Sequence, residues 1–197
     1  VSAKAEIGIG VAGAFHSFEA SGTETTRQSA EKNTGSHDSD VLVPELFVEA
    51  IADNGFTLGI SYIPTREMGS KSRSDTNTLG DTGTYTAKAE LNNVMQLYAD
   101  VPLPGGYPVY VKLGVQHVTL ATLESLNSGS TYPDADLLGY TVGLGTKGDL
   151  PYGNNLYYKV EGSYTEFDDY SSQGSAGNNL EASFDHTSAK ISIGYKF

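Results

Sequence analysis

Eight stretches of the chain alternate apolar and polar residues with period two, the pattern of a β-strand whose two faces meet different surroundings. In the first, 5–18, Ile7, Ile9, Val11 and Phe15 share one face, while Glu6, Gly8, Gly10 and His16 share the other. The second, 40–52, sets Leu42, Pro44, Leu46, Val48 and Ala50 against Glu45, Phe47 and Glu49. The third opposes Phe56, Leu58, Ile60 and Tyr62 to Thr57, Gly59 and Ser61. In the fourth, 84–101, Tyr85, Ala87, Ala89, Leu91, Met95, Leu97 and Val101 face away from Lys88, Glu90, Asn92, Gln96 and Tyr98. The last four begin near Val109, Leu138, Leu156 and Ala189, and their polar faces carry Lys112, Lys159, Glu161 and Lys190. No run of 18 apolar residues exists, so no transmembrane helix is predicted.

The connections alternate in length. Asp53-Asn54-Gly55 is a tight hairpin turn, and 103–108 and 150–155 are short and rich in Gly and Pro. Between them, 19–39, 66–83, 124–136 and 167–181 are long and rich in Ser, Thr, Gly, Asn and Asp, and are expected to be loops. Short turns therefore lie at one end of the strands and long loops at the other, with both termini at the short-turn end, which requires an even strand number.

Alternation alone fits a soluble sandwich as well as a membrane barrel. Strands of 13 residues or more exceed the ~5–6 residues usual in soluble sheets, whereas a tilted membrane strand needs ~9–11 residues in the hydrocarbon alone. Tyr62, Tyr85, Tyr158, Tyr164 and Tyr195 lie near the ends of apolar faces, where a membrane–water interface favours aromatic rings. Polar faces that mix Gly, Ser and Thr with single Lys and Glu residues suit the narrow inside of a closed barrel. The expected fold is thus all-β: an eight-stranded antiparallel up-and-down transmembrane β-barrel forming one domain over 1–197. Hydrophobic residues make up 38% of the chain and mean hydropathy is −0.29, which half-apolar strands explain. Cysteine is absent, which removes disulfides and thiolate metal ligands. No signal peptide is visible in the sequence; if the protein is exported, the signal is expected to have been removed, with Ala3-Lys4-Ala5 a remnant of its small-residue end.

The end, Ala189-Lys-Ile-Ser-Ile-Gly-Tyr-Lys-Phe197, resembles the C-terminal signature of bacterial outer-membrane barrels: a terminal aromatic, another two residues earlier, and apolar residues at alternate positions before it. Ile191, Ile193, Tyr195 and Phe197 match it. The whole plan is similar to the small eight-stranded group that includes the OmpA barrel domain, OmpX, OmpW and the opacity proteins. That resemblance implies a bacterial outer-membrane location with long loops extracellular and termini periplasmic. It also implies surrounding lipid and lipopolysaccharide, and recognition of the last strand by the barrel-assembly machinery. No peptidoglycan-binding domain is expected to follow, unlike in full-length OmpA.

Charge sorts by position. Glu45, Glu49, Glu90 and Glu161 balance Lys88, Lys112, Lys159 and Lys190 on the inferred lumen face. Buried charges need partners, so an internal salt-bridge network is expected to fill the barrel. The net charge of −12 must then lie elsewhere: segments 19–40, 66–83, 124–136 and 166–185 carry −3, 0, −3 and −5. An acidic, hydroxyl-rich rim keeps a surface soluble and also suits a cationic ligand or divalent ions. Asp134, Asp136, Asp168 and Asp169 are weak calcium candidates, without an EF-hand pattern. The lack of basic residues in the last two segments argues against nucleic acid.

Nothing points to catalysis. Of the four histidines, His16 and His186 fall on lumen faces of strands that meet when the barrel closes, and His37 lies in a loop. His117 is on the lipid face with Thr119 two residues on, a loose likeness to a lipid-facing catalytic pair. No G-x-S-x-G, H-E-x-x-H, P-loop or dinucleotide motif is present. The leading expectation is a non-enzymatic barrel, without cofactor, anchoring four long acidic loops for surface contact or envelope integrity. A narrow channel for small solutes or ions is the alternative, and a lipid A-modifying enzyme a third.

Overall fold

The computed structural model describes residues 5–25, 27, 30, 32–75, 83–125, 131–151, 155–175 and 177–197; at 33, 66–75, 83–89 and 122–125 it describes the backbone. Ten strands follow in order: β1 (Ala5–Thr25), β2 (Lys32–Ala52), β3 (Thr57–Ile63), β4 (Arg66–Asp75), β5 (Gly83–Pro102), β6 (Val109–Ser125), β7 (Ala135–Asp149), β8 (Leu156–Phe167), β9 (Tyr170–Gln173) and β10 (Asn179–Lys196). β3 and β4 follow one another along β5, and β8 and β9 along β10, so the ten strands make eight staves. All pairs are antiparallel, and β1 closes the ring on β10 from Gly8↔Lys196 to Thr25↔Asn179.

Alternation works as the sequence predicts, with the faces inverted relative to a soluble protein. Val11, Leu42 and Ile191 are 57%, 73% and 64% exposed on the outside, while Lys112 and Asp100 are 2% and 0% exposed within. An apolar exterior over a polar interior is what hydrocarbon requires of a barrel. At the short-turn end, Gly55 has a left-handed backbone (φ +84°) and its N–H donates to Ala52 O at 2.8 Å, which lets β2 turn straight into β3.

Two of the segments expected as loops, 19–39 and 66–83, are largely strand. β1 and β2 stay paired out to Thr25↔Lys32, and β4 with β5 out to Asp75↔Gly83. His37 accordingly sits in β2, on an extended hairpin. Hydroxyl pairs across neighbouring strands stand in for apolar packing there: Ser21 with Ser183 at 2.8 Å, and Thr23 with Thr34 at 3.2 Å.

Two irregularities shape the hairpin half of the barrel. β5 carries a bulge between Asn92 and Met95, with Asn93 at φ +52°. One extra residue reverses the alternation, so Leu91 and Val94 both turn inward and are buried. Leu91, expected on the lipid face, is therefore in the core. The second irregularity lies between β2 and β4. β2 pairs with β3 only from Leu46 to Ile51, and among the described residues no ladder joins the rest of that edge to β4. Pro44 and Pro64, which have no N–H to give, sit where the ladder stops.

Large rings reach the narrow axis only because small residues stand opposite them. Tyr98, Tyr110 and Tyr157 lie directly across from Gly59, Gly145 and Gly194, where any Cβ would collide with the ring. Gly59→Val is expected to destabilise the barrel by ~1–3 kcal/mol through overpacking. Outward-facing Gly13→Val, whose Cβ would meet nothing within 4 Å, is expected to be tolerated. Urea titrations followed by heat-modifiable gel mobility compare the two.

Candidate functional site

The interior has two layers. Nearest the short turns is a charged layer built from inward positions of β2, β5, β6, β8 and β10. Lys159 Nζ lies 2.6 Å from Asp100 Oδ2 and 3.0 Å from Glu49 Oε2. Lys112 Nζ lies 2.6 Å from Glu161 Oε1 and 3.3 Å from Asp100 Oδ1. Lys190 Nζ lies 3.0 Å from Glu45 Oε1 and 3.5 Å from Glu161 Oε2. The Tyr98 and Tyr157 hydroxyls donate to Glu49 at 2.6 and 2.8 Å, and Lys112 Nζ sits 3.5 Å from the centroid of the Tyr98 ring. Each carboxylate thus has at least one ammonium partner, the condition for keeping charges away from water.

Six of the eight residues expected in this network are in it: Glu45, Glu49, Lys112, Lys159, Glu161 and Lys190. Glu90 is not. Beyond the β5 bulge the faces exchange, so with Leu91 inside, Glu90 is half-exposed and turned away. The Lys88 side chain lies outside the described ones; its backbone pairs with Ser70 and Leu123. Two members were missed. Asp100 continues the inward series Gln96, Tyr98, and that spacing was enough to find it. Lys147, near the end of β7, donates to Gly55 O at 2.6 Å and Thr57 Oγ1 at 2.7 Å, closing the short-turn mouth.

Above this layer lies an apolar one, with Phe18, Val43, Ile63, Val94, Val118 and Phe167 among its buried members. At the boundary His16 and His186 meet through their Nδ1 atoms at 3.2 Å, stacked beside Phe18. Together the two layers occupy the lumen, with one small cavity of about 20 Å3 at their boundary.

Outside, above the apolar band, Asp38, Glu19, Asp185 and Glu166 stand directly opposite one another on β2, β1, β10 and β8. Of the four aspartates weighed as calcium ligands, Asp136 accepts a hydrogen bond from the Thr119 hydroxyl at 2.8 Å and lies 3.8 Å from His117 Nε2. Asp168 and Asp169 lie between β8 and β9, exposed, and Asp134 is exposed before β7. Among the described residues no three His, Asp or Glu side chains converge as metal ligands. The Thr119 hydroxyl is bound to a carboxylate rather than to His117, so the triplet lacks the nucleophile–base contact that acyl transfer needs.

No protein-family model matches the chain, and no curated protein matches it. Solved structures do. The outer membrane protein OprG from Pseudomonas aeruginosa is similar over 98% of this chain and 97% of its own, with TM-score 0.54 and 16% identity. Neisserial surface protein A matches over 94% and 97%, with TM-score 0.45 and 9% identity. Ail, the attachment invasion locus protein of Yersinia pestis, solved with the heparin analogue sucrose octasulfate, matches over 95% and 99%, with TM-score 0.41 and 14% identity. The chain has the fold of the small eight-stranded outer-membrane β-barrels, closed and wholly antiparallel.

Lys190→Met removes the ammonium beside Glu45 and is expected to lower stability by about 3–5 kcal/mol. Glu90→Gln, outside the network, is expected to stay within about 0.5 kcal/mol of the parent. Urea titration of both measures the difference. The acidic row behaves oppositely: like charges directly opposite one another destabilise, so Asp185→Asn is expected to raise stability by roughly 0.2–1 kcal/mol in chelator and low salt. Thermal unfolding with and without EDTA reads that gain.

Proposed function

We propose that the chain is an integral protein of the bacterial outer membrane that presents an acidic hairpin rim to the outside and whose lumen does not conduct. It acts by surface contact or by supporting the envelope, without catalysis or cofactor. The observation that carries this reading is the charged layer across the lumen, where Lys112, Lys159, Glu49 and Asp100 are all 2% exposed or less. A solute path would require those pairs to part, and separating one leaves a buried charge uncompensated.

In this reading the hairpin end is extracellular and the termini periplasmic. Lipid and lipopolysaccharide surround the apolar band. Ile191, Ile193, Tyr195 and Phe197 face outward, and the Tyr195 and Phe197 rings meet edge-on at 4.9 Å; the assembly machinery reads this strip during insertion. The acidic rim favours cationic partners, whether divalent ions or a basic surface, and its segments 124–136 and 166–185 carry no Lys or Arg for nucleic acid.

Planar bilayers holding the purified protein are expected to show no steady single-channel openings; a constant, reproducible conductance overturns the closed-lumen reading. Orientation is tested in intact cells with a membrane-impermeant maleimide, which the cysteine-free parent does not bind. Asp169→Cys is expected to label and Asn54→Cys to stay unlabelled, and the reverse pattern overturns the topology.

A further inference from the structure

The outer wall between β7 and β8 holds a groove of about 500 Å3, bordered by Tyr140, Val142, Tyr164, Glu166, Asp168 and Asp169. The ladder fixes where its side chains stand. Tyr140 lies directly opposite Glu166, and Tyr164 directly opposite Val142, so the two rings sit on a diagonal across the pair. Diagonal neighbours are ~7–8 Å apart, within reach of aromatic side chains. Both rings are exposed. The Asp168 N–H donates to Leu138 O at 2.8 Å, which ties the chain after β8 to β7 and sets Asp168 and Asp169 at the upper rim.

The negative charge here has no cation of the chain's own to meet it. From Val109 to Phe197 the basic residues are five lysines, and all five are engaged elsewhere. Lys112, Lys159 and Lys190 are paired inside the charged layer. Lys147 closes the short-turn mouth, and Lys196 is bound to Asp149 at that same end. Glu166 also faces Asp185 on β10, so the next strand adds another carboxylate rather than a counter-charge.

The shape of the groove decides which cation fits. Calcium takes six to eight oxygens around one point, and among the described residues no three His, Asp or Glu side chains converge. The groove is also many times the ~30 Å3 that one water occupies. Aromatic faces set beside carboxylates instead suit a bulky organic ammonium, which a ring attracts through its quadrupole. Below the groove, Val142 and Leu144 are exposed on the apolar band. A guest thus finds a place for a cationic head at the band's edge and for a hydrocarbon tail beneath it.

We propose that this groove binds the alkylammonium headgroup of a membrane amphiphile, with the cation between Tyr140 and Tyr164 under Glu166, Asp168 and Asp169, and the tail along Val142 and Leu144. This names one cationic partner for the acidic rim and rests on that reading for the leaflet that supplies it.

The probe is dodecyltrimethylammonium, titrated at constant ionic strength into 13C-tyrosine-labelled protein. The nanodiscs are of phosphatidylglycerol, which carries no ammonium of its own. They offer both leaflets, so failure here counts against the groove and leaves the orientation and the closed lumen standing. Saturable shifts of the Tyr140 and Tyr164 ring signals are expected, with Tyr62 and Tyr195 unmoved. Dodecyl maltoside, with the same chain and an uncharged head, is expected to have no effect. Tyr164→Leu, read at Tyr140, is expected to weaken binding about threefold or more, and Glu166→Gln to weaken it as well. Both side chains point outward, away from the charged layer and the apolar cluster. Equal shifts with dodecyl maltoside, shifts that never saturate, or an unchanged affinity in Tyr164→Leu would each overturn the proposal. A response to Mg2+ as strong as to the amphiphile would overturn it in favour of a plain counter-ion. A response to tetramethylammonium alone would overturn the membrane source.

Discussion

A polypeptide cannot leave backbone N–H and C=O groups bare in hydrocarbon, and the closure of β1 on β10 is the contact that meets this demand here. The rest follows from it. Eight staves set a bore just wide enough for side chains. The ladder forces every second residue inward, where neither lipid nor bulk water reaches. The inside must then be filled by what those positions hold, which is a paired set of lysines and carboxylates in one half and an apolar cluster in the other.

The two halves do different work. The charged layer is tied across five strands by ion pairs and tyrosine hydroxyls, so it resists deformation and seals the short-turn end. The hairpin half is held by softer contacts and by an incomplete ladder, with the β5 bulge and two prolines at the break. Local opening favours regions with fewer paired backbone groups. The geometry therefore puts rigidity near the termini and adaptability near the acidic rim, where ligand contact is proposed.

Much of this was legible because a sheet's side-chain period is two and every strand has two unlike environments. Inward Glu45, Glu49, Lys112, Lys159, Glu161 and Lys190, the meeting of His16 with His186, and the outward terminal aromatics all follow from counting in twos. Counting fails where the backbone inserts a residue. Nothing in Asn92-Asn93 marks a bulge uniquely, so Leu91 and Glu90 exchanged faces. It also says little about where a strand ends once it leaves the membrane: Ser- and Thr-rich segments read as loops because they lack apolar residues, yet hydroxyl pairs extend the hairpins. Asp100 was within reach of the same periodicity. The gap between β2 and β4 was not, since it arises from which strands pair rather than from their faces.

Paired charges act as the core of this barrel's short-turn half. A double-mutant cycle on Asp100 and Lys159 tests it most directly, using Asp100→Leu, Lys159→Leu and both together in urea titrations. The two side chains are in direct contact, 2.6 Å apart. The expected result is a coupling energy of about 1.5 kcal/mol or more, with the double variant clearly more stable than the sum of the single losses predicts. Additivity within about 0.5 kcal/mol would contradict the claim.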